Sequence, residues 1–131
     1  KHSENALKIA AWLSTKEEVA WVNYPGLKSS TYNGLAQKYL PKGQSGIVTF
    51  GLKKGFEGGK VVADQTKLFA LLANIGDTKS LIIHPASTTH QQLDEAAQQA
   101  TGVTPDLIRL SIGLEDVNDL IADLENAFES L

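Results

Sequence analysis

Apolar residues recur every three or four positions at both ends of the chain. Near the start, Leu7, Ala10, Ala11 and Leu13, widened by Ile9 and Trp12, place an apolar stripe along one side of a helix. Ser3 stands where an N-cap is expected, and the helix should stop near Ser14. At the far end, Val117, Leu120, Ile121, Leu124 and Phe128 follow the i, i+3, i+4, i+7, i+11 spacing of an amphipathic helix. Glu115 and Asp116 put negative charge at that helix's start, where the macrodipole favours it.

Between these helices, short β-rich runs alternate with further helical stretches. Val19–Asn23 reads as a strand closed by Tyr24-Pro25-Gly26. Tyr32, Leu35, Ala36 and Tyr39 have helical spacing behind Ser29 and Ser30, and Ile47–Phe50 is the next strand. Lys53 to Gly59 reads as a glycine-rich connection, after which Val61, Val62 and Leu68 suggest a helix running into Leu71–Ile75. Ser80–Ile83 is a short apolar run. A helix is expected from Thr88 or Thr89, covering Leu93, Ala96, Ala97 and Ala100 and ended by Gly102. Leu107–Ile112 alternates as a strand, with Leu107, Arg109 and Ser111 on one face and Ile108, Leu110 and Ile112 on the other. Helix and strand alternate without internal repeats, and the strands are too few and short for a complete doubly wound nucleotide fold. The pattern predicts a small α+β layer, one sheet covered by helices.

Composition narrows the function classes. The 131 residues are enough for one domain, and 42% hydrophobic with 21% charged residues is ordinary for a globular unit. No window approaches the roughly 20 apolar residues of a membrane span. The net charge is −3 and the basic residues are scattered, so no electrostatic footprint for nucleic acid is visible. Without cysteine there is neither a disulfide framework nor a thiolate metal site, and a reducing, cytoplasmic setting fits. The chain begins Lys1-His2-Ser3-Glu4 and contains no methionine, which reads as a fragment of a longer protein.

Candidate chemistry is sparse. Arg109 lies on a strand with apolar flanks, where a guanidinium needs a carboxylate or phosphate partner; alternatively it is a solvated edge residue or an ion-pair partner. His84 and His90 are spaced too irregularly for a helical ligand pair and have no third ligand nearby, so capping or surface hydrogen bonds are expected of them. Ser87, Thr88 and Thr89 read as hydroxyls satisfying a helix start. Gly55, Gly58 and Gly59 lack the spacing of a phosphate loop and read as a flexible link. No Ser/His/Asp or Cys/His nucleophile set can be assembled, and the acids of the last helix read as a solvated face.

Three ordered segments resemble one family. They are Glu4-Asn5-Ala6 with Trp21-Val22-Asn23-Tyr24-Pro25-Gly26-Leu27, then Ser80-Leu81-Ile82-Ile83-His84-Pro85-Ala86-Ser87-Thr88-Thr89-His90, then Leu107-Ile108-Arg109-Leu110-Ser111-Ile112-Gly113-Leu114-Glu115. Together they are similar to the C-terminal small domain of the pyridoxal-phosphate enzymes of cysteine and methionine metabolism. That family includes O-acetylhomoserine sulfhydrylase, cystathionine γ-synthase, cystathionine β-lyase and methionine γ-lyase. The resemblance covers essentially the whole chain, residues 1–131. It implies the small, mostly antiparallel sheet of a fold-type I enzyme, with the cofactor-binding large domain outside the chain.

Carried over residue by residue, the resemblance makes Arg109 the group that binds the substrate α-carboxylate, with Thr89 beside it to orient the guanidinium. Asn74, in Asn74-Ile75-Gly76, stands where lyases and γ-synthases of the family commonly have serine; its amide can donate to a carboxylate, and it points to the sulfhydrylase branch. The implied reaction makes homocysteine from O-acetylhomoserine and sulfide, with pyridoxal phosphate held by a lysine outside this chain and a homotetrameric whole enzyme. Ser14-Thr15-Lys16 only superficially matches the family's Ser-x-Thr-Lys motif, because it falls after the first small-domain helix; it reads as a helix-end loop. Neither catalytic nor cofactor-binding nor metal-binding residues are expected in the chain. The alternatives are cystathionine γ-synthase or methionine γ-lyase of the same family, or a free-standing binding or oligomerisation module on the same fold.

Overall fold

The computed structural model describes residues 1–131. The fold comprises one sheet and five helices: α1 (His2–Leu13), α2 (Asn33–Tyr39), α3 (Gly55–Gln65), α4 (Glu95–Ala100) and α5 (Val117–Phe128). The strands are β1 (Val19–Asn23), β2 (Ile47–Leu52), β3 (Ala70–Leu71), β4 (Leu81–Ile83) and β5 (Leu107–Ser111), and a single 3₁₀ turn covers Pro85–Ser87. The strand order is β1-β2-β5-β4-β3, antiparallel throughout except for the short parallel β3–β4 pair. This is the α+β layer that the alternation predicts.

The sheet separates two environments. Val48 and Phe50 on β2, Ile108 and Leu110 on β5 and Ile82 on β4 are fully buried on the face that α1, α3 and α5 cover. Ile9 and Leu13 from α1, Val62 from α3 and Leu120 and Leu124 from α5 complete this core. Trp12 stacks on Phe128 at 5.7 Å and 18°, and Phe128 in turn tilts against Phe50, so the last helix is keyed to both the first helix and the sheet. Asp116 caps α5, accepting from Asn118 N at 2.8 Å, and Asp94 caps α4, accepting from Ala97 N at 2.8 Å.

Several local expectations give way to tertiary packing. Ser3 is not a cap: α1 already begins at His2 with Lys1 in the cap position. The glycine-rich stretch from Gly55 is the first half of α3, not a link. Glycine costs a helix about 1 kcal/mol per residue, but here Gly58 and Gly59 are buried because α3 comes too close to its neighbours for side chains. A Cβ on Gly59 would lie 2.5 Å from Cδ2 of His84. Nor does α3 run into Leu71–Ile75. It ends at Gln65, and the buried Asp123 of α5 then collects the main-chain N–H groups of Lys67, Leu68 and Phe69 at 2.8, 2.8 and 3.1 Å. That capture diverts the chain into β3, and residues 72–79 follow as a loop. Finally, α4 starts at Glu95, not at Thr88 or Thr89, since Thr88 Oγ1 is spent on His84 O at 2.8 Å and Asp94 supplies the cap. Gly102, at φ +81°, ends it as expected.

Two outcomes follow. Gly59→Ala should destabilise by about 1–3 kcal/mol in chemical denaturation, because the His84 ring it meets is buried and fixed at both nitrogens; Gly34→Ala, with open space around its Cβ, should be neutral or slightly stabilising. Tyr24, whose buried hydroxyl donates to Ser45 O at 2.9 Å, has its pKa pushed by burial from 10.0 up to about 12. A raised folded pKa leaves its contribution intact below pH 10 and removes it as pH climbs from 10 to 12. Tyr24→Phe should therefore be less stable by about 1–2 kcal/mol at neutral pH and show a shallower alkaline decline than the parent in denaturant midpoints.

Candidate functional site

Side chains alternate along β5, so the register that buries Ile108 and Leu110 sends Arg109 to the opposite face. There it pairs across the sheet with Thr49 of β2 and Ile83 of β4. Its Nη2 donates to the main-chain oxygen of Asn74 at 2.7 Å, and this is its one side-chain hydrogen bond. Arg109 takes part in neither of the two ion pairs of the chain, Lys8–Glu4 and Lys16–Glu125. A guanidinium has five N–H donors, so most of the fork is uncommitted and half-exposed.

Asn74 is thus brought to Arg109, through its backbone. Its side-chain Oδ1 accepts from Ile75 N at 2.8 Å, which leaves the Nδ2 donors without a partner. Thr89 follows the 3₁₀ turn, and its hydroxyl is engaged with Nδ1 of His90 at 2.9 Å; no hydrogen bond joins it to Arg109. A cleft of about 190 Å³ begins one residue beyond Asn74, at Ile75 and Gly76, and is also lined by Ser111, two residues along from Arg109 on the same strand face, and by His2. His84 belongs to the scaffold. The Pro105 carbonyl can only accept, so Nε2 donates to it at 2.7 Å, and Ser87 Oγ bonds Nδ1 at 2.8 Å.

The loop that carries Asn74 is fastened by residues that spacing alone does not reveal. Glu115 does not serve the helix start in the way its position suggests. Its Oε1 accepts from Ser80 N at 2.7 Å and its Oε2 from Ser80 Oγ at 2.8 Å, while Ser80 Oγ accepts from Gly113 N at 2.8 Å. Leu114 N adds a bond to Thr78 O at 2.8 Å. From α1, the Asn5 amide donates to Gly113 O at 3.2 Å and Glu115 O at 2.9 Å, and one His2 ring nitrogen bonds Ile112 O at 2.6 Å. In the sequence this cluster is signalled only by the Gly-Leu-Glu tail of the Arg109 segment together with Asn5.

A profile of the family described as "Cys/Met metabolism PLP-dependent enzyme" matches residues 1–129. The chain belongs to this family. Among curated relatives, O-acetyl-L-homoserine sulfhydrylase of Leptospira meyeri is 51% identical over 132 residues, covering 100% of this chain and 30% of its own length. Homocysteine/cysteine synthase of Saccharomyces cerevisiae is 45% identical, covering 100% of this chain and 32% of its own length. A crystal structure of a putative O-acetylhomoserine (thiol)-lyase from Campylobacter jejuni superposes with a TM-score of 0.89 at 50% identity, over 98% of this chain and 30% of the other. That structure carries N'-pyridoxyl-lysine-5'-monophosphate on a lysine outside the region this chain matches. The chain therefore spans about a third of its relatives' length, and its α+β layer is the small domain of this PLP-dependent family.

Lys16, in the near match to the cofactor-lysine motif, pairs with Glu125 and lies 4.8 Å from the Trp12 ring centroid. Trp12 and Glu125 belong to α1 and α5, so this lysine sits on the helical side of the sheet, across from Arg109.

Proposed function

We propose that this chain is the C-terminal small domain of a pyridoxal-phosphate O-acetylhomoserine sulfhydrylase, and that it anchors the substrate α-carboxylate. The observation that carries the proposal is the Arg109 guanidinium: held in place by a backbone oxygen, free of any carboxylate within the chain, and presented from a rigid strand on the face away from the core. Such a planar fork binds a carboxylate through two parallel charge-assisted hydrogen bonds. The Asn74 amide, with its donors free, supplies a third contact to the same carboxylate. Thr89, whose hydroxyl is bonded to Nδ1 of His90, makes no hydrogen bond to Arg109 within the chain. Relatives of 50–51% identity named as sulfhydrylases support the choice of O-acetylhomoserine and sulfide as substrates.

In the whole enzyme, pyridoxal phosphate bound to a lysine elsewhere supplies the electron sink for chemistry at the amino acid's α- and β-carbons. This domain's share is positional. Fixing the carboxylate sets the orientation of the Cα–H bond and of the γ-acetoxy leaving group, which converts a loose encounter into a defined geometry. A homotetrameric, cytoplasmic enzyme is the setting inferred from the family.

In the full-length enzyme, Arg109→Ala should lower kcat/KM for O-acetylhomoserine about a hundredfold or more, a loss of about 3 kcal/mol, while cofactor content measured by absorbance stays near the parent's. Equal loss of cofactor would give Arg109 a structural role. Asn74→Ala separates backbone from side chain: since Arg109 is held by the main-chain oxygen, the guanidinium keeps its place, and a rise in KM of about five- to tenfold would report the amide's own contact with substrate. An unchanged KM would remove Asn74 from the binding set.

A further inference from the structure

We propose that Glu115 is a positioning residue for the carboxylate anchor, acting through Ser80 on the loop that holds Arg109. This rests on Arg109 being that anchor. The guanidinium's one fixed contact in the chain is the Asn74 carbonyl, so its aim depends on where residues 72–79 run. That loop is exposed over most of its length and starts from a strand of only two residues, Ala70–Leu71, so it has little of its own to define its path.

What defines the path is the crossing over the segment just beyond β5. Ser80, fully buried, gives both its N–H and its hydroxyl to the Glu115 carboxylate and takes the Gly113 N–H in return. Thr78 O accepts from Leu114 N. The two segments touch so closely that a Cβ on Gly113 would fall 2.3 Å from Thr78 O and 2.5 Å from Glu115 Oε2. Asn5 fixes the other side, its two donors reaching the carbonyls of Gly113 and Glu115 while its buried Oδ1 has no partner. Arg109 and Glu115 are thus on one continuous segment, and the loop between them in space is clamped at Asn74 by the first and at Ser80 by the second. Glu115 carries no ion pair and meets no other cation, so its charge is spent on these hydrogen bonds alone.

The test uses the full-length, cofactor-loaded enzyme with Glu115→Ala, Glu115→Gln and the milder Ser80→Ala, alone and combined with Arg109→Ala. Amide hydrogen exchange over residues 72–80 and KM and kcat for O-acetylhomoserine are measured. Glu115→Ala and Ser80→Ala should speed exchange in that segment and raise KM about tenfold, with kcat and cofactor content changed less than about twofold; Glu115→Gln, which keeps an acceptor for Ser80 N, should recover most of both. On the Arg109→Ala background the same changes should alter KM less than about twofold, because the group they position is gone. If the KM effects multiply in full on that background, or if kcat and cofactor content fall as KM rises, Glu115 is structural and the proposal is overturned. Should Glu115→Ala not fold, Ser80→Ala decides by the same criteria. Arg109→Ala with a parental KM would instead defeat the anchor itself, and the positioning with it, whatever the exchange shows.

Discussion

The register of β5 is the constraint on which the rest depends. Paired with β2 on one side and β4 on the other, it commits Ile108 and Leu110 to full burial under the helices and leaves Arg109 on the opposite face. Because side chains alternate strictly, a slip of one residue would send the guanidinium into the apolar core and the two aliphatic side chains out of it. Burying an unpaired charge costs far more than the few kcal/mol by which domains are stable. Fold and candidate site are therefore fixed by the same hydrophobic pattern, and Arg109 cannot be moved to the other face without loss of the fold.

Around that strand, loops are fastened by buried polar side chains that capture main chain distant in sequence. Asp123 reaches back across more than fifty residues to three successive N–H groups, His84 holds Pro105, Asn5 and Glu115 hold the turn after β5, and Tyr24 ties the first helix to the approach to β2. Each of these bonds satisfies backbone groups that would otherwise be stranded away from water. The two ion pairs, by contrast, each have a partner well exposed at the surface, where solvent screening leaves them little weight. Specific capture of main chain, more than surface charge, determines where the loops of this small domain run.

This division explains which parts of the molecule could be read from sequence. The alternation in β5 and the stripe in α5 are direct images of burial, and both elements form where the pattern puts them. The start of α3 was illegible because propensity argues against three glycines in a helix, whereas the requirement that decides it, closeness to the His84 ring, comes from an element twenty-five residues away. The same holds after Gln65, where apolar spacing continues but Asp123 withdraws the N–H groups a longer helix would need. At the site, Arg109 and Asn74 were visible through resemblance and are joined in space, yet by the Asn74 backbone, a contact that no side-chain pattern can announce. In the sequence Glu115 shows only as a negative charge ahead of the last helix, because its partner Ser80 is thirty-five positions away.

Hydrogen bonding separates two kinds of residue around Arg109 and the segment beyond β5. Glu115 and Ser80, and the Asn5 amide through its N–H donors, are bonded to the scaffold, so their geometry is set before any ligand arrives. Arg109 and Asn74 spend one contact each on the scaffold and keep the rest. A group with every donor satisfied can only orient, and a group with none fixed would have to be ordered at the expense of binding energy. One bond for placement and several held in reserve is the condition under which a guanidinium on a strand is both preorganised and available, and it is the supporting shell, more than the arginine alone, that meets it.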